Sequence, residues 1–321
     1  MSDRQAALSI EEQAVPLTRR RIALSIGETS VPAHLLVGHA LRPCLGLVGG
    51  VHGDEYDGMR ALHEFLRELQ PNDLQGSLLI IPVANPLAFA AGQRKTPTDA
   101  KDLNRVFPGS PKGSTTDRLA HELCSLLRQA DLVFSLHSSG ALGILATWVE
   151  YLDTPDTVGQ ASAAAARASG FSDLIAHPAQ PGLLQTALGA MGVPLIEGEV
   201  GGRGRTSREH VDYYKARVHA VGEHVGVFPR SAPAQQIGPP PRTWTLRRLD
   251  VAVSGLLVRR VELGQAVKPD ELLGEVLDLH GETLSTIRSP AAGVIGGYRD
   301  HAGVQAGDHV FTLWRPVEGV G

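Results

Sequence analysis

From Arg21 onward, short apolar runs alternate with amphipathic stretches of helical period, and the alternation stops at a run of prolines. The apolar runs at residues 21–26, 44–48, 77–83, 131–137 and 194–200 read as strands. Between them, residues 57–70 place Leu62, Phe65, Leu66 and Leu69 on one helical stripe. Residues 116–129 do the same with Leu119, Leu123, Leu126 and Leu127, and the Ala-rich stretch 157–170 stops at a glycine. Thr206-Ser207-Arg208-Glu209 has the spacing of a capping box, ahead of Val211, Tyr214, Val218, Val221 and Val225. Strands alternating with helices imply an α/β layer, with helices flanking a mixed, mainly parallel sheet.

The pattern changes at residues 231–243, where Pro239, Pro240 and Pro241 stand in a row and an extended linker is expected. Beyond it no helix is legible. Strand-like runs at 255–261, 272–277, 293–298 and 310–314 alternate with Gly, Asp and Pro turns. A single core rarely grows beyond about 250–300 residues, so 321 residues suit one large and one small unit. The expected division is an N-terminal tail over 1–20, an α/β domain over 21–230, the linker over 231–243 and a small all-β domain over 244–321.

Composition narrows the function classes. Apolar residues make up 42% and charged residues 20%, too apolar and too weakly charged for disorder. No run reaches the roughly 18 apolar residues of a membrane span. Residues 1–20 are polar, and Arg19, Arg20 and Arg21 precede no apolar core, so no secretory leader is expected. The net charge of −4 argues against a nucleic-acid surface. Cys44 and Cys124 sit in apolar surroundings, where reduced, buried thiols and a cytoplasmic location are expected.

The chemistry gathers at strand ends. Gly49-Gly50-Val51-His52-Gly53-Asp54-Glu55 follows the second apolar run and opens the first long helix. His52 and Glu55 are three residues apart, so one turn can aim an imidazole and a carboxylate at one point, as in a hydrolytic zinc site. His137 ends the strand 131–137, at the same sheet edge, where open α/β sheets bind ligands. The strand 194–200 runs into Glu197-Gly198-Glu199-Val200-Gly201-Gly202, where either glutamate could serve as general base. Asn85-Pro86, Arg94 and Asp102-Leu103-Asn104-Arg105-Val106-Phe107-Pro108-Gly109 come off the strand at 77–83. Arginine there suits a substrate carboxylate or an oxyanion, and Asn104 adds a neutral donor. Arg203, Arg205, Arg208, Gln185 and His177 lie near these motifs in sequence and are further candidates to line the pocket.

This ordered series resembles the succinylglutamate desuccinylase/aspartoacylase family of zinc carboxypeptidase-like hydrolases, over about residues 21–228. The resemblance implies a zinc carboxypeptidase-like catalytic domain over 21–230, holding one Zn2+ per chain on His52, Glu55 and His137. It selects Glu199, which begins the E-x-G motif, as the catalytic glutamate. It places the oxyanion arginine nine residues after Asn85, at Arg94, and the carboxylate-gripping pair at Asn104 and Arg105. Arg94 and Arg105 are 11 residues apart, a few more than in aspartoacylase, and Gly201-Gly202-Arg203 replaces a Gly-Pro continuation. Both departures point to the bacterial predicted-deacylase branch, which includes N-acetyl-diaminobutyrate deacetylases of ectoine breakdown, and away from N-acetylaspartate. The C-terminal part is similar to a biotinyl/lipoyl-carrier domain, but its expected hairpin tip, Asp278-Leu279-His280-Gly281, has no lysine. A lid or oligomer contact is therefore expected there, not a swinging arm.

The expected function is zinc-dependent removal of an acyl group from a small-molecule N-acyl amino acid, in a chain for which the resemblance allows a homo-oligomer and for which neither nucleic-acid nor membrane binding is expected. A zinc carboxypeptidase acting on short peptides would share metal, base and arginines. A non-catalytic zinc-containing binding protein is the alternative of a different class.

Overall fold

The central apolar runs are buried on both faces, as strands between two helical layers must be. A computed structural model describes residues 8–27, 29–230 and 240–317. The elements up to Val225 are α1 Ile10–Gln13, β1 Thr18–Ile26, β2 Thr29–Val37, β3 Cys44–Gly49, α2 Tyr56–Glu68, β4 Ser77–Ile81 and α3 Pro86–Ala91. They continue with α4 Thr115–Leu127, β5 Leu132–His137, β6 Gly143–Leu152, α5 Thr157–Ala168, β7 Asp173–His177, α6 Leu184–Ala190, β8 Leu195–Gly202 and α7 Arg208–Val225. Strands β4, β3, β5 and β8 lie side by side and parallel, β2 and β6 flank them antiparallel, and β1 is the edge.

Side chains alternate between the faces of this sheet. Cys44, Val48 and Val133 join one core with Leu119, Leu123 and Leu127 of α4 and Leu184 and Leu188 of α6. Leu45, Leu47, Phe134 and Leu136 join the other, under Leu62 and Phe65 of α2 and Tyr214, Val218 and Val221 of α7. Every strand and helix read from the apolar patterns up to Val225 is present. The sequence patterns missed α1, β2, β6, β7, α3 and α6. Strand β6 was hidden because its Trp148 and Glu150 face a cleft, which breaks the apolar run.

Two boundaries differ from expectation. Of the segment expected as a tail, residues 1–7 lie outside the described residues, but Ile10 is fully buried and its N–H donates to Gln129 Oε1 at 2.9 Å. The strand β1 already begins at Thr18, because Thr18–Ile26 pairs with Thr29–Val37 along its whole length. Residues 231–239 of the expected linker also lie outside the described residues, and Arg242 and Thr243 already belong to a strand.

After Pro241 all regular structure is β, as expected: β9 Arg242–Asp250, β10 Gly255–Arg259, β11 Ala266–Val267, β12 Leu272–Leu277, β13 Thr283–Arg288, β14 Gly293–Arg299, β15 Gly303–Val304 and β16 His309–Pro316. A small second sheet holds β13, β12, β10 and β15. The rest is not a separate layer. Strand β9 pairs in parallel with β7, β16 with β9, β14 with β16, and β14 returns to pair with β6. Since β6 also pairs with β7, five strands close into a ring. Buried Trp148, Ile175, Trp244 and Trp314 form one cluster on these strands, with the Trp148 and Trp314 rings 5.4 Å apart, edge to face. The C-terminal strands are thus continuous with the main sheet.

Both cysteines are free and buried. Burial pushes the Cys44 thiol up to about 11 and the Cys124 thiol up to about 12. Only a thiolate attacks a disulfide reagent. At pH 8 the folded protein is therefore expected to give no fast reaction with a chromogenic disulfide, whereas the denatured chain should titrate both Cys44 and Cys124. A fast native thiol would contradict this packing.

Candidate metal centre and active site

His52 leaves the end of β3 on a turn that only small residues permit. A Cβ on Gly53 would lie 2.0 Å from the carbonyl carbon of Ala88, so the turn packs backbone to backbone against α3. Glu55 then stands at the N-cap position of α2, without a side-chain capping bond. His137 is the last residue of β5, which lies beside β3 in parallel register, Gly49 opposite Leu136. These three side chains are buried, at 2%, 2% and 1% exposure for His52, Glu55 and His137.

Their ligating atoms all lie within 4.8 Å of one another. His52 Nδ1 is 2.8 Å from Glu55 Oε1, and His137 Nδ1 is 2.9 Å from Glu55 Oε2. Burial alone would raise the Glu55 pKa, but the two imidazoles outweigh it and hold the carboxyl well below its usual range. Burial also opposes a charge on His137, yet Glu197 and Glu55 hold its pKa up at about 9. Two imidazoles and an ionised carboxylate, dry and converging, are the donor set of a divalent metal with an open position.

The outward nitrogens are also fixed. His52 Nε2 is 3.1 Å from Asp102 Oδ1, and His137 Nε2 is 2.9 Å from Ser135 Oγ. Such outer partners orient ligand imidazoles and set their tautomers. Asp102 also accepts the Asn104 N–H at 2.9 Å and the Arg94 Nε–H at 2.9 Å. Arg94 Nη1 lies 3.4 Å from Glu55 Oε1, so this guanidinium reaches the rim of the three-ligand cluster.

Glu199, on β8, lies opposite His137 in the parallel register. The backbone that follows turns sharply at Gly201, whose φ is +77° and whose Cβ would meet the His210 ring at 2.4 Å. Burial, Glu55, Glu150 and Glu197 raise the Glu199 pKa well above the carboxylate range, and Arg94 offsets this only in part. Its Oε2 is buried without a hydrogen-bond partner. Glu197 points to the same side, 3.7 Å from His137 Nε2. Tyr214 locks both strands: its buried hydroxyl takes the His137 N–H and lies on the carbonyl oxygens of His137 and Gly198.

Asn104 splits its amide. Its Oδ1 accepts the Leu184 N–H at 2.8 Å, and its Nδ2 is 3.5 Å from Glu197 Oε1. Arg105 is exposed in the same cleft, with Nη1 donating to the Asn104 carbonyl. His52, Arg94, Asn104, Arg105 and Glu199 open on one cleft of about 1080 Å³, and Glu55 and His137 form its floor. All seven residues singled out from the sequence are thus brought together. Of the five secondary candidates, His177 lines the cleft. Arg203 is instead paired with Asp300 at 2.8 Å, Arg208 with Asp212 at 2.9 Å, Gln185 is buried against Leu195, and Arg205 is exposed. Sequence reasoning gave no role to Asp102, although it stands in the quoted motif one turn before Arg105. Nothing in the sequence marked Glu150 on β6.

Residues 42–225 match the succinylglutamate desuccinylase/aspartoacylase catalytic domain. The chain belongs to this family. Over 291 residues it is 29% identical to the N-alpha-acetyl-L-2,4-diaminobutyric acid deacetylase of Halomonas elongata, covering 87% of this chain and 84% of that protein. The product-bound ectoine utilization protein EutE (DoeB) from Ruegeria pomeroyi has a TM-score of 0.84 at 27% identity, over 94% of this chain and 97% of that one. A succinylglutamate desuccinylase/aspartoacylase from Rhodobacter sphaeroides has a TM-score of 0.82 at 26% identity, over 94% and 96%. These likenesses run on past the matched catalytic domain, into the C-terminal strands. Among the described residues, no helix is long and apolar enough to cross a membrane.

Losing an outer carboxylate partner typically weakens metal binding about 10–100-fold. Asp102→Asn is expected to fall in that range when the family's metal is titrated against a competing chelator. Unchanged affinity would show that Asp102 does not support His52.

Proposed function

We propose that this protein is a zinc-dependent hydrolase that removes the acyl group from an N-acyl amino acid. The observation that carries the reading is the buried His52, Glu55 and His137 cluster with the unpartnered Glu199 oxygen beside it. Family membership supports it, as does the relative named as a deacetylase of an acetylated amino acid. Zinc bound by these ligands would supply a Lewis acid and a water of lowered pKa.

The chain's own residues do the rest. Glu199 has a raised pKa and a free oxygen facing the cluster, so it suits a group that takes a proton from water and returns it to the leaving amine. Arg94 is held by Asp102 with a guanidinium nitrogen turned to the cluster, where the negative charge of a tetrahedral intermediate develops. Arg105 and the Nδ2 of Asn104 offer donors further out for the amino acid's carboxylate. The C-terminal strands lay Thr245, Tyr298 and Thr312 along the cleft, which limits the size of substrate it admits. They form a wall; the β12–β13 turn carries no lysine for a swinging arm.

Elemental analysis paired with amine release from N-acyl amino acids, N-acetyl-diaminobutyrate included, tests this directly. We expect about one zinc per chain in wild type and in Glu199→Gln, with turnover in wild type alone. Metal without turnover on any acyl substrate, or faster cleavage of a tripeptide, would overturn the reading. Loss of an oxyanion donor typically costs about 10²–10³ in kcat, the expectation for Arg94→Ala. Arg105→Ala should mainly raise KM, because a carboxylate contact is equal in ground and transition states. An unchanged KM would remove Arg105 from the binding role.

A further inference from the structure

The C-terminal strands bring a third arginine to the cleft. Arg248 lies on β9 directly opposite Thr312 of β16, and antiparallel partners project to the same face. Thr312 and Arg248 both line the cleft that holds Arg94 and Arg105. Among the described residues, no carboxylate makes a direct ion pair with Arg248. Its electrostatic neighbours Asp250 and Asp102 have other partners: Asp250 is 3.2 Å from His309 Nδ1, and Asp102 holds His52 and Arg94.

The other two arginines have fewer donors to offer. Arg94 spends Nε on Asp102 and turns Nη1 to Glu55. Arg105 spends Nη1 on the Asn104 carbonyl. Arg248 keeps its whole fork, in the geometry that matches a carboxylate bidentately. Arg248 is exposed to the cleft, and its partial desolvation there together with the charges of Arg105 and Arg94 pushes its pKa down, Asp250 and Asp102 opposing. Like charges are placed together at a cost, and an anion between them relieves it.

We infer that Arg248, supplied by the C-terminal strands, is a second carboxylate anchor in the cleft it shares with Arg105, selecting acylated amino acids whose carboxylate is free. The inference rests on the N-acyl amino acid reading and deepens it. It makes Arg248 a specificity-determining residue outside the matched catalytic domain, which ends at residue 225. It excludes substrates capped at the carboxyl end, internal peptide positions among them.

The test compares wild type, Arg248→Gln and Arg248→Lys on one N-acyl amino acid and on its carboxyl amide. On the free acid, Arg248→Gln should raise KM about 10–100-fold with kcat little changed, and Arg248→Lys should fall between. On the amide, wild type and Arg248→Gln should have equal kcat/KM, since the partner of Arg248 is gone. Arg248→Lys keeps charge and stem, and a fold defect in the Gln variant would show as a fall in Tm with an equal loss on acid and amide. Unchanged KM on the free acid in both variants, or an equal loss on acid and amide, overturns the assignment while leaving deacylation intact. Absence of any turnover in wild type would instead overturn the deacylase reading itself.

Discussion

The Glu55 carboxylate, shut away from water and touched on each oxygen by an imidazole, is the interaction on which the rest of the molecule depends. A buried charge is tolerated only when paired, and leaving one unpaired commonly costs about 3–5 kcal/mol. The two imidazoles must therefore arrive together, and they arrive on different strands. His137 comes from the end of β5 and His52 from the turn after β3, so their meeting rests on the β3–β5 register. A slip of one residue would turn His137 into the opposite core. The hydrophobic packing of Phe134 and Leu136 on one face and Val133 on the other fixes that register before any ion is bound.

From that centre, environment divides the carboxylates into different roles. Glu55 is driven down by the imidazoles and stays ionised. Glu199 touches no cation directly, faces Glu55, Glu150 and Glu197, and is driven up. Neighbouring carboxyl groups pushed apart in this way mark which one can carry a proton. Arg94 sits between the two regimes. Asp102 takes its Nε and also the outer nitrogen of His52, so one carboxylate sets the direction of both an imidazole and a guanidinium. Asp102 earns that position through the backbone, since it also caps the turn that presents Asn104.

Legibility in the sequence follows the same physics. Strands β3, β5 and β8 were readable because both faces are buried, and α2 and α4 because a regular apolar stripe faces one core. The proposed ligands were readable because they sit at or just past the ends of those strands, where glycine-rich turns such as Gly49-Gly50 mark a change of direction, whereas the choice of Glu199 over Glu197 came from the family resemblance. Strand β6 was not, since Trp148 and Glu150 serve the cleft and so obey no apolar alternation. The buried N-terminal Ile10 was equally hidden: a single apolar side chain in a polar stretch carries no period, and only its pocket near Gln129 gives it a place. The roles of Asp102 and Glu150 depend on long-range pairing, the part of a fold that local pattern does not encode.

That limit explains why the continuity of the C-terminal strands with the main sheet was not legible in the sequence. Short strands and turns look the same in sequence whether they form an independent barrel or extend an existing sheet. What decides is the partner of β9, and β7 is a strand the sequence did not announce. Once β9 pairs there, β16 and β14 follow, and the return of β14 to β6 closes a ring around three tryptophans. The closure has a chemical consequence. It fixes β9 beside the catalytic cleft as firmly as any strand of the α/β core, so a side chain such as Arg248 is held by a sheet and not by a loose lid. The motifs shared with the family therefore lie in residues 42–225, while part of the cleft's lining comes from the strands that follow.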